Sequence, residues 1–286
     1  MATMTPVPTP PRPAKAPGFL FASLRVFELS IGEMLWSRRT IFMGLVVGVP
    51  VLLALLVRGA AFLGAPAIRA NNMVITGPAI FGLMIWAFYL RFSVPVLGAF
   101  YGTSLIADEV EDKTITYLFT RPVSRGAVLF GKFLSYVLCT LLVVLPSLTI
   151  VWLLVTPMGG SLGANFLDFV KDLVIITVGL VAYGALFALV GSLFKRPLLI
   201  SLVFIFGFEP AVLVFPGYLK RFTLAYYLQG LVPQAMPNDS VVSLVQQIFR
   251  ETPSLSSAVV ALSVITVACL WMSARTVTNK EYIFEQ

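Results

Sequence analysis

The sequence contains no histidine and only two cysteines in 286 residues. Those two, Cys139 and Cys269, each lie inside an apolar run, so neither fits an extracellular disulfide framework. Without histidine and without a cysteine cluster, the usual zinc and haem ligand sets are missing, and no metal site is expected. Charge is scarce as well: 12% of the residues are Asp, Glu, Lys or Arg, against about 25% in soluble domains. What the chain does have is apolar surface, 58% hydrophobic residues with a mean hydropathy of +0.94. A soluble fold of this size leaves too much of its chain facing water to hide that surface. A lipid bilayer, itself an apolar solvent, removes the conflict. The chain is therefore expected to be an all-α polytopic membrane protein with no catalytic residue.

Crossing the ~30 Å hydrocarbon layer takes about 20 apolar residues in a helix. Six runs are expected to cross: Ile41 to Val57, a stretch within Ala79 to Ala107 that is too long for one straight crossing, Phe133 to Val155, Leu173 to Phe194, Leu198 to Phe215, and Leu255 to Met272. Only Lys195, Arg196 and Pro197 separate the fourth run from the fifth, which makes those two helices antiparallel neighbours. The expected organisation is a disordered cytoplasmic tail (1–17), an interfacial helix (18–39), a six-span domain (40–272) and a cytoplasmic tail (273–286). Residues 1–17 are Pro-rich and lack the apolar core of a cleaved signal peptide.

A net charge of +7 invites a nucleic-acid reading, but the basic residues sit at the ends of apolar runs. Assigned to alternate sides, and leaving out Arg91 inside the second run, thirteen Lys and Arg fall on the N-terminal side and six on the other. The excess marks the N-terminal side as cytoplasmic. Both termini are thus expected in the cytoplasm of a multi-pass inner (plasma) membrane protein, with no nucleic-acid partner.

Two segments outside the spans have helical apolar periodicity. Leu20, Leu24, Phe27, Ile31, Met34 and Leu35 share one face, with Arg25, Glu28 and Gly32 elsewhere. Such a helix before a span suits the membrane interface. Within the long outer segment 218–254, Val241, Leu244, Val245, Ile248 and Phe249 repeat the spacing, with Asp239 or Ser240 available as N-cap and Pro253 closing the pattern. For both segments, packing against the protein itself is the open alternative.

The most informative stretch is the loop 108–125, expected to face the cytoplasm. It begins with four acids in five residues, Asp108, Glu109, Glu111 and Asp112, placed as if to complement the positive end of a new helix. That helix would run through Phe119, with Ile115, Leu118 and Phe119 forming an apolar edge, until Pro122 stops it. Ser124 is an N-cap candidate for the third span, and Arg121 and Arg125 flank the stop. One reading is a solvated loop obeying the charge rule. An apolar edge rimmed by charge points instead to a docking surface.

An acid at the end of the second span, a Thr five residues later, then P-x-S-R and a Lys opening the third span resemble the type-2 family of ABC-transporter permeases. The residues are Glu109, Thr114, Pro122, Ser124, Arg125 and Lys132. The wider plan is similar too: a flat N-terminal elbow helix, six spans, a tight turn between the fourth and fifth, and a re-entrant outer segment before the last. Lys113 departs from the pattern, standing where the family often has Gly. The resemblance implies a permease half, paired with a second permease as a homodimer or with a close relative. Each half would dock on a cytoplasmic ATPase through the loop, as a coupling helix built on Glu109, Thr114, Leu118, Pro122, Ser124 and Arg125. The chain itself would bind no cofactor, and ATP and Mg would sit in the partner. An exporter is the first expectation. An ABC-type machine powering envelope assembly or motility, and a secondary ion-coupled transporter, remain as alternatives.

Residues 126–132 match G-x-x-x-x-G-K, but Phe133 follows where magnesium coordination requires Ser or Thr, and the segment opens an apolar run. It is a decoy, so energy must come from another polypeptide. Two charges lie deep in apolar runs, Arg91 and Glu209. A charge at the bilayer centre costs about 2.5–3.5 kcal/mol on insertion scales, so both need partners or water. They are candidates for a polar lining of the translocation path, with the two paired; the alternative is a snorkelling Arg91 and a satisfied kink at Glu209 and Pro210. Gly44/Gly48 and Gly98/Gly102 have the spacing that permits close helix approach.

Overall fold

The computed structural model describes residues 18–36, 38–64, 69–70, 73–74, 76–111, 124–214, 218–232 and 253–279. It is helical apart from a two-residue antiparallel ladder, β1 (Arg69–Ala70) with β2 (Met73–Val74). In chain order the helices are α1 (Phe19–Leu35), α2 (Arg38–Phe62), α3 (Gly77–Glu111), α4 (Arg125–Val155), α5 (Phe166–Leu193), α6 (Pro197–Val214), α7 (Leu224–Leu231) and α8 (Leu255–Asn279). Five of them, α2, α3, α4, α5 and α8, are long and apolar enough to cross a bilayer. The fifth expected run is met by the shorter apolar helix α6.

Helix α3 is the spine of the bundle. Of its apolar window 67% is buried, against 28% in α2 and 17% in α8. The outer helices instead expose leucine and valine, such as Leu45 and Leu56 of α2 and Val260 and Val264 of α8. Lipid accepts those side chains at no cost, so burial within the protein has to come from close packing. The glycines supply it. A Cβ at Gly98 would stand 2.9 Å from Tyr183 Cβ, one at Gly102 3.0 Å from Gly184 O, and one at Gly191 2.5 Å from Thr103 O. These contacts bring α3 and α5 backbone to backbone, as the Gly98/Gly102 spacing led us to expect. Gly44 and Gly48 of α2 meet nothing within 4 Å.

The length of α3 is accommodated by two π-helical stretches, Ile85–Ser93 and Gly98–Gly102. The first lies directly before Pro95, whose missing N–H and ring would break a regular α-ladder near Arg91. Helix α6 repeats the device: Pro197–Val203 passes through a π stretch, Phe204–Phe208, just before Pro210. Pro50 of α2 is handled by another span. Ser147 of α4 donates to Val47 O at 3.1 Å beside the break, and Tyr89 of α3 lies 2.7 Å from Ser147 Oγ. The single hydroxyl proton of Ser147 is committed to Val47, so Tyr89 is the donor in that second bond. Tyr136 of α4 donates to Leu180 O of α5 at 2.8 Å, and Ser273 of α8 to Ala188 O of α5 at 3.3 Å.

These contacts sort the helix ends. Thr103, Gly191, Arg125, Val277 and the Lys195–Arg196 turn gather at one end, with α1 packed on the first turns of α4. At the other end Gly77 N donates to Met158 O at 2.6 Å, and Gly230 lies against Pro253. Cys139 and Cys269 are buried free thiols on α4 and α8.

Candidate functional site

Two places carry the polar chemistry. The first is the end of the bundle that bears the 108–125 loop. Helix α3 continues through Thr103–Glu111, so Asp108, Glu109 and Glu111 belong to its last turns. These three acids end α3 instead of opening a new helix, a correction to the sequence reading; Asp112 and the expected short helix through Phe119 lie outside the described residues. The physical reason is simple: no Gly or Pro lies between Thr103 and Glu111 to stop the helix. Thr114, Leu118 and Pro122 lie outside the described residues, as do the outer apolar positions Val241 to Phe249. Ser124 stands at the N-cap position of α4 with extended backbone, and its carbonyl rather than its side chain receives the first bonds, from Ala127 N and Val128 N.

Arg125, the first residue of α4, reaches across to the last turn of α8. Its Nη1 donates to Thr278 O at 3.2 Å and Val277 O at 3.4 Å. The final carbonyls of a helix have no partner within it and carry its negative end, so a guanidinium is well placed there. Sequence reasoning assigned Arg125 to docking and missed this contact. Nothing local signals a pairing between residues so far apart in the chain.

Helix α1 is fastened to the same turns of α4. A Cβ at Gly131 would stand 2.5 Å from Ser23 O and 2.9 Å from Val26 Cβ. Ser135 donates to Phe27 O at 3.0 Å, and the Phe19 and Phe130 rings lie 6.2 Å apart. The buried residues of α1 are Ala22, Ser23 and Ser30, whereas Leu20 (72% exposed) and Leu24 (56% exposed) face outward. The docking face is thus the small-residue face. Of the predicted apolar face, Leu20 and Leu24 are turned outward, where lipid can meet them, while Phe27, Ile31, Met34 and Leu35 are half-buried, with Met34 packed against the core.

The second place is the middle of the bundle. Glu209 is 4% exposed. Tyr183 of α5 donates its hydroxyl to Glu209 Oε1 at 2.6 Å, and the backbone N–H of Ala225 donates to the same oxygen at 3.1 Å. Ala225 is in the first turn of α7, so the carboxylate caps that helix from another part of the chain and faces its positive end. At ~1.5 Å per residue, Glu209 stands roughly 18 Å from Pro197 and Tyr183 roughly 15 Å from Leu193 along their helices, about half of a ~30 Å layer. Leu228 of α7 is fully buried beside Val94 and Gly179. The segment after α6 therefore turns back into the bundle.

Arg91 lies about midway along α3 rather than near its end. Its guanidinium carbon is 5.3 Å from the centroid of the Trp86 ring, and its Nε is buried without a hydrogen-bond partner among the described residues. Phe92, next to Arg91, and Phe206, three residues before Glu209, bring the π stretches of α3 and α6 within 6.3 Å, ring to ring. Arg91 and Glu209 act on each other electrostatically, but no ion pair joins them among the described residues. Glu209 is satisfied by neutral donors, and Arg91 retains capacity. Tyr183 was absent from the sequence-based site, and a tyrosine within an apolar run signals nothing by itself.

The family model described as ABC-2 family transporter protein matches residues 26–286 of this chain. No curated protein matches it.

Proposed function

This chain belongs to the ABC-2 transporter family, and we propose that, as a multi-pass permease subunit of an ABC transporter, it serves as an exporter driven by ATP hydrolysis on a separate subunit. The observation that carries the reading is the extent of the family match, which runs from α1 to the end of the chain and takes in the loop between α3 and α4. In this reading ATP and Mg are bound by the partner, and residues 108–125 dock on it through Glu109, Thr114, Leu118, Pro122, Ser124 and Arg125. Helix α6 is the remaining crossing, since the chain must pass from the loop end at Pro197 to the far end at Pro253. The excess of basic residues on the loop side supports termini and loop in the cytoplasm of an inner membrane.

Force entering at the loop would act on two spans at once, because α3 and α4 emerge from its two sides. Two contacts favour transmission as a rigid unit. Helix α1 is locked to the first turns of α4 through Gly131 and Ser135, and Arg125 ties the end of α8 to the start of α4. A bundle packed this tightly responds by moving between discrete arrangements. Arg91, with an unpartnered Nε at mid-depth, is the better candidate of the two charges for the translocation path. A second permease subunit would cover part of the exposed apolar surface of α2, α6 and α8.

Purification of the tagged chain from its host tests this directly. An ATPase subunit should co-purify, and Glu109→Ala or Arg125→Ala should reduce its retention. A single cysteine at Thr114 should react with impermeant maleimide only after the membrane is opened. Labelling of that cysteine in intact cells would overturn the reading.

A further inference from the structure

Helix α7 is not self-sufficient. It has eight residues, and isolated helices shorter than about 12 residues are marginal even in favourable sequences. Its own N-cap, Thr223, makes no side-chain bond to the helix; that hydroxyl donates to Lys220 O at 2.8 Å, closing the preceding 3-10 turn Tyr218–Phe222. The capping acceptor comes from Glu209 instead, and the acceptor is itself held by Tyr183. One carboxylate oxygen therefore joins α5, α6 and α7. Inside a bilayer an uncapped N–H finds no water to replace a lost protein partner, so the choice of acceptor decides where the segment sits.

We propose that Glu209 is a positioning residue that docks the segment Tyr218–Leu231 into the bundle, capping α7 across the chain while Tyr183 fixes the carboxylate. Its role is to hold the protein's own backbone. The sequence expectation grouped Glu209 with Arg91 as path-lining charges; the geometry divides them, with Glu209 committed inward. The segment, α5 and α6 then move as one body in any rearrangement of the bundle. The inference goes beyond the transporter reading and needs no ATPase to be tested.

Hydrogen–deuterium exchange on the full-length chain in lipid nanodiscs reads the docking. In Glu209→Ala, amides of Leu224–Leu231 should exchange about tenfold faster, while those of Arg125–Val155 keep their wild-type protection. Glu209→Gln keeps an acceptor oxygen for both donors and should stay within about threefold of wild type. Tyr183→Phe, which frees the carboxylate without removing it, should fall between. Unchanged protection of Leu224–Leu231 in both Glu209→Ala and Tyr183→Phe overturns the proposal. So does a loss of protection spread equally over Arg125–Val155, which marks a general loss of packing. If Glu209→Ala yields no folded protein, Tyr183→Phe decides: faster exchange confined to Leu224–Leu231 supports the docking role, and wild-type exchange there refutes it.

Discussion

The middle of the bundle and its loop end differ in one kind of polar joint. In the middle the joints are buried, neutral donors meet buried acceptors, and backbones touch at glycines: Tyr183 on Glu209, Tyr89 on Ser147, Tyr136 on Leu180, Gly102 against Gly184. At the loop end glycine contacts recur at Gly131 and Gly191, Ser135 donates to Phe27 O, and to these is added a partly exposed guanidinium on the carbonyls of α8. A buried bond cannot be exchanged for water, so breaking it strands its partners; an exposed one can be. The middle is therefore built to keep its arrangement, and the loop end is built so that a contact can be traded. That division suits a protein receiving force at one end.

The division can be broken experimentally, starting with the largest effect. A side chain at Gly184 would enter the ring of Tyr136; overpacking of that kind costs about 1–3 kcal/mol or more. Gly184→Val should lower the melting temperature in detergent sharply or abolish monodisperse protein, while Gly44→Val, with nothing within 4 Å, should behave as wild type. Next, Glu209→Ala leaves the Tyr183 hydroxyl and the Ala225 N–H without their acceptor, a loss of about 1–3 kcal/mol, read as a fall in thermal midpoint that Glu209→Gln largely restores. Smaller again is Ser147→Ala, since hydrogen bonds between membrane helices average about 0.6 kcal/mol and reach about 1.7. Because the α2 break at Pro50 loses its outside donor, faster amide exchange should centre on Val46 to Val51. The smallest stability effect belongs to Arg125→Ala, about 0.3–1 kcal/mol for a cation at a helix C-terminus. The same variant should nevertheless release the ATPase subunit most readily. If Arg125→Ala destabilised the isolated chain as much as Glu209→Ala, the contrast between the two regions would fail.

Particular residues show how far the sequence could be read. The positions of the long spans were legible because each is a long run of apolar side chains with few charges inside it. The Gly98/Gly102 approach was legible from spacing; the identical spacing at Gly44/Gly48 meets open space, because spacing reports what a helix permits and not what faces it. Asp108, Glu109 and Glu111 were misplaced by the same kind of local reasoning, which looked for a helix start where α3 continues through Glu111. For α1, periodicity found the helix but not how its apolar face is divided, with Leu20 and Leu24 outward and Phe27 and Met34 half-buried, because lipid and protein both accept apolar side chains. Arg91 and Glu209 were found as anomalies of charge, yet their separate roles depend on Trp86, Tyr183 and Ala225, none of which is anomalous in sequence.

What the amino-acid order determined alone was the solvent: with so much apolar surface and so little charge, only a bilayer balances the chain, and helices follow because every backbone group there must find a partner within its own segment. What tertiary structure decided was who satisfies whom between segments. Tyr183, Glu209 and Ala225 come from three helices, and Arg125 meets the end of α8 across most of the chain. Such contacts depend on packing over distances that no local pattern of side chains encodes.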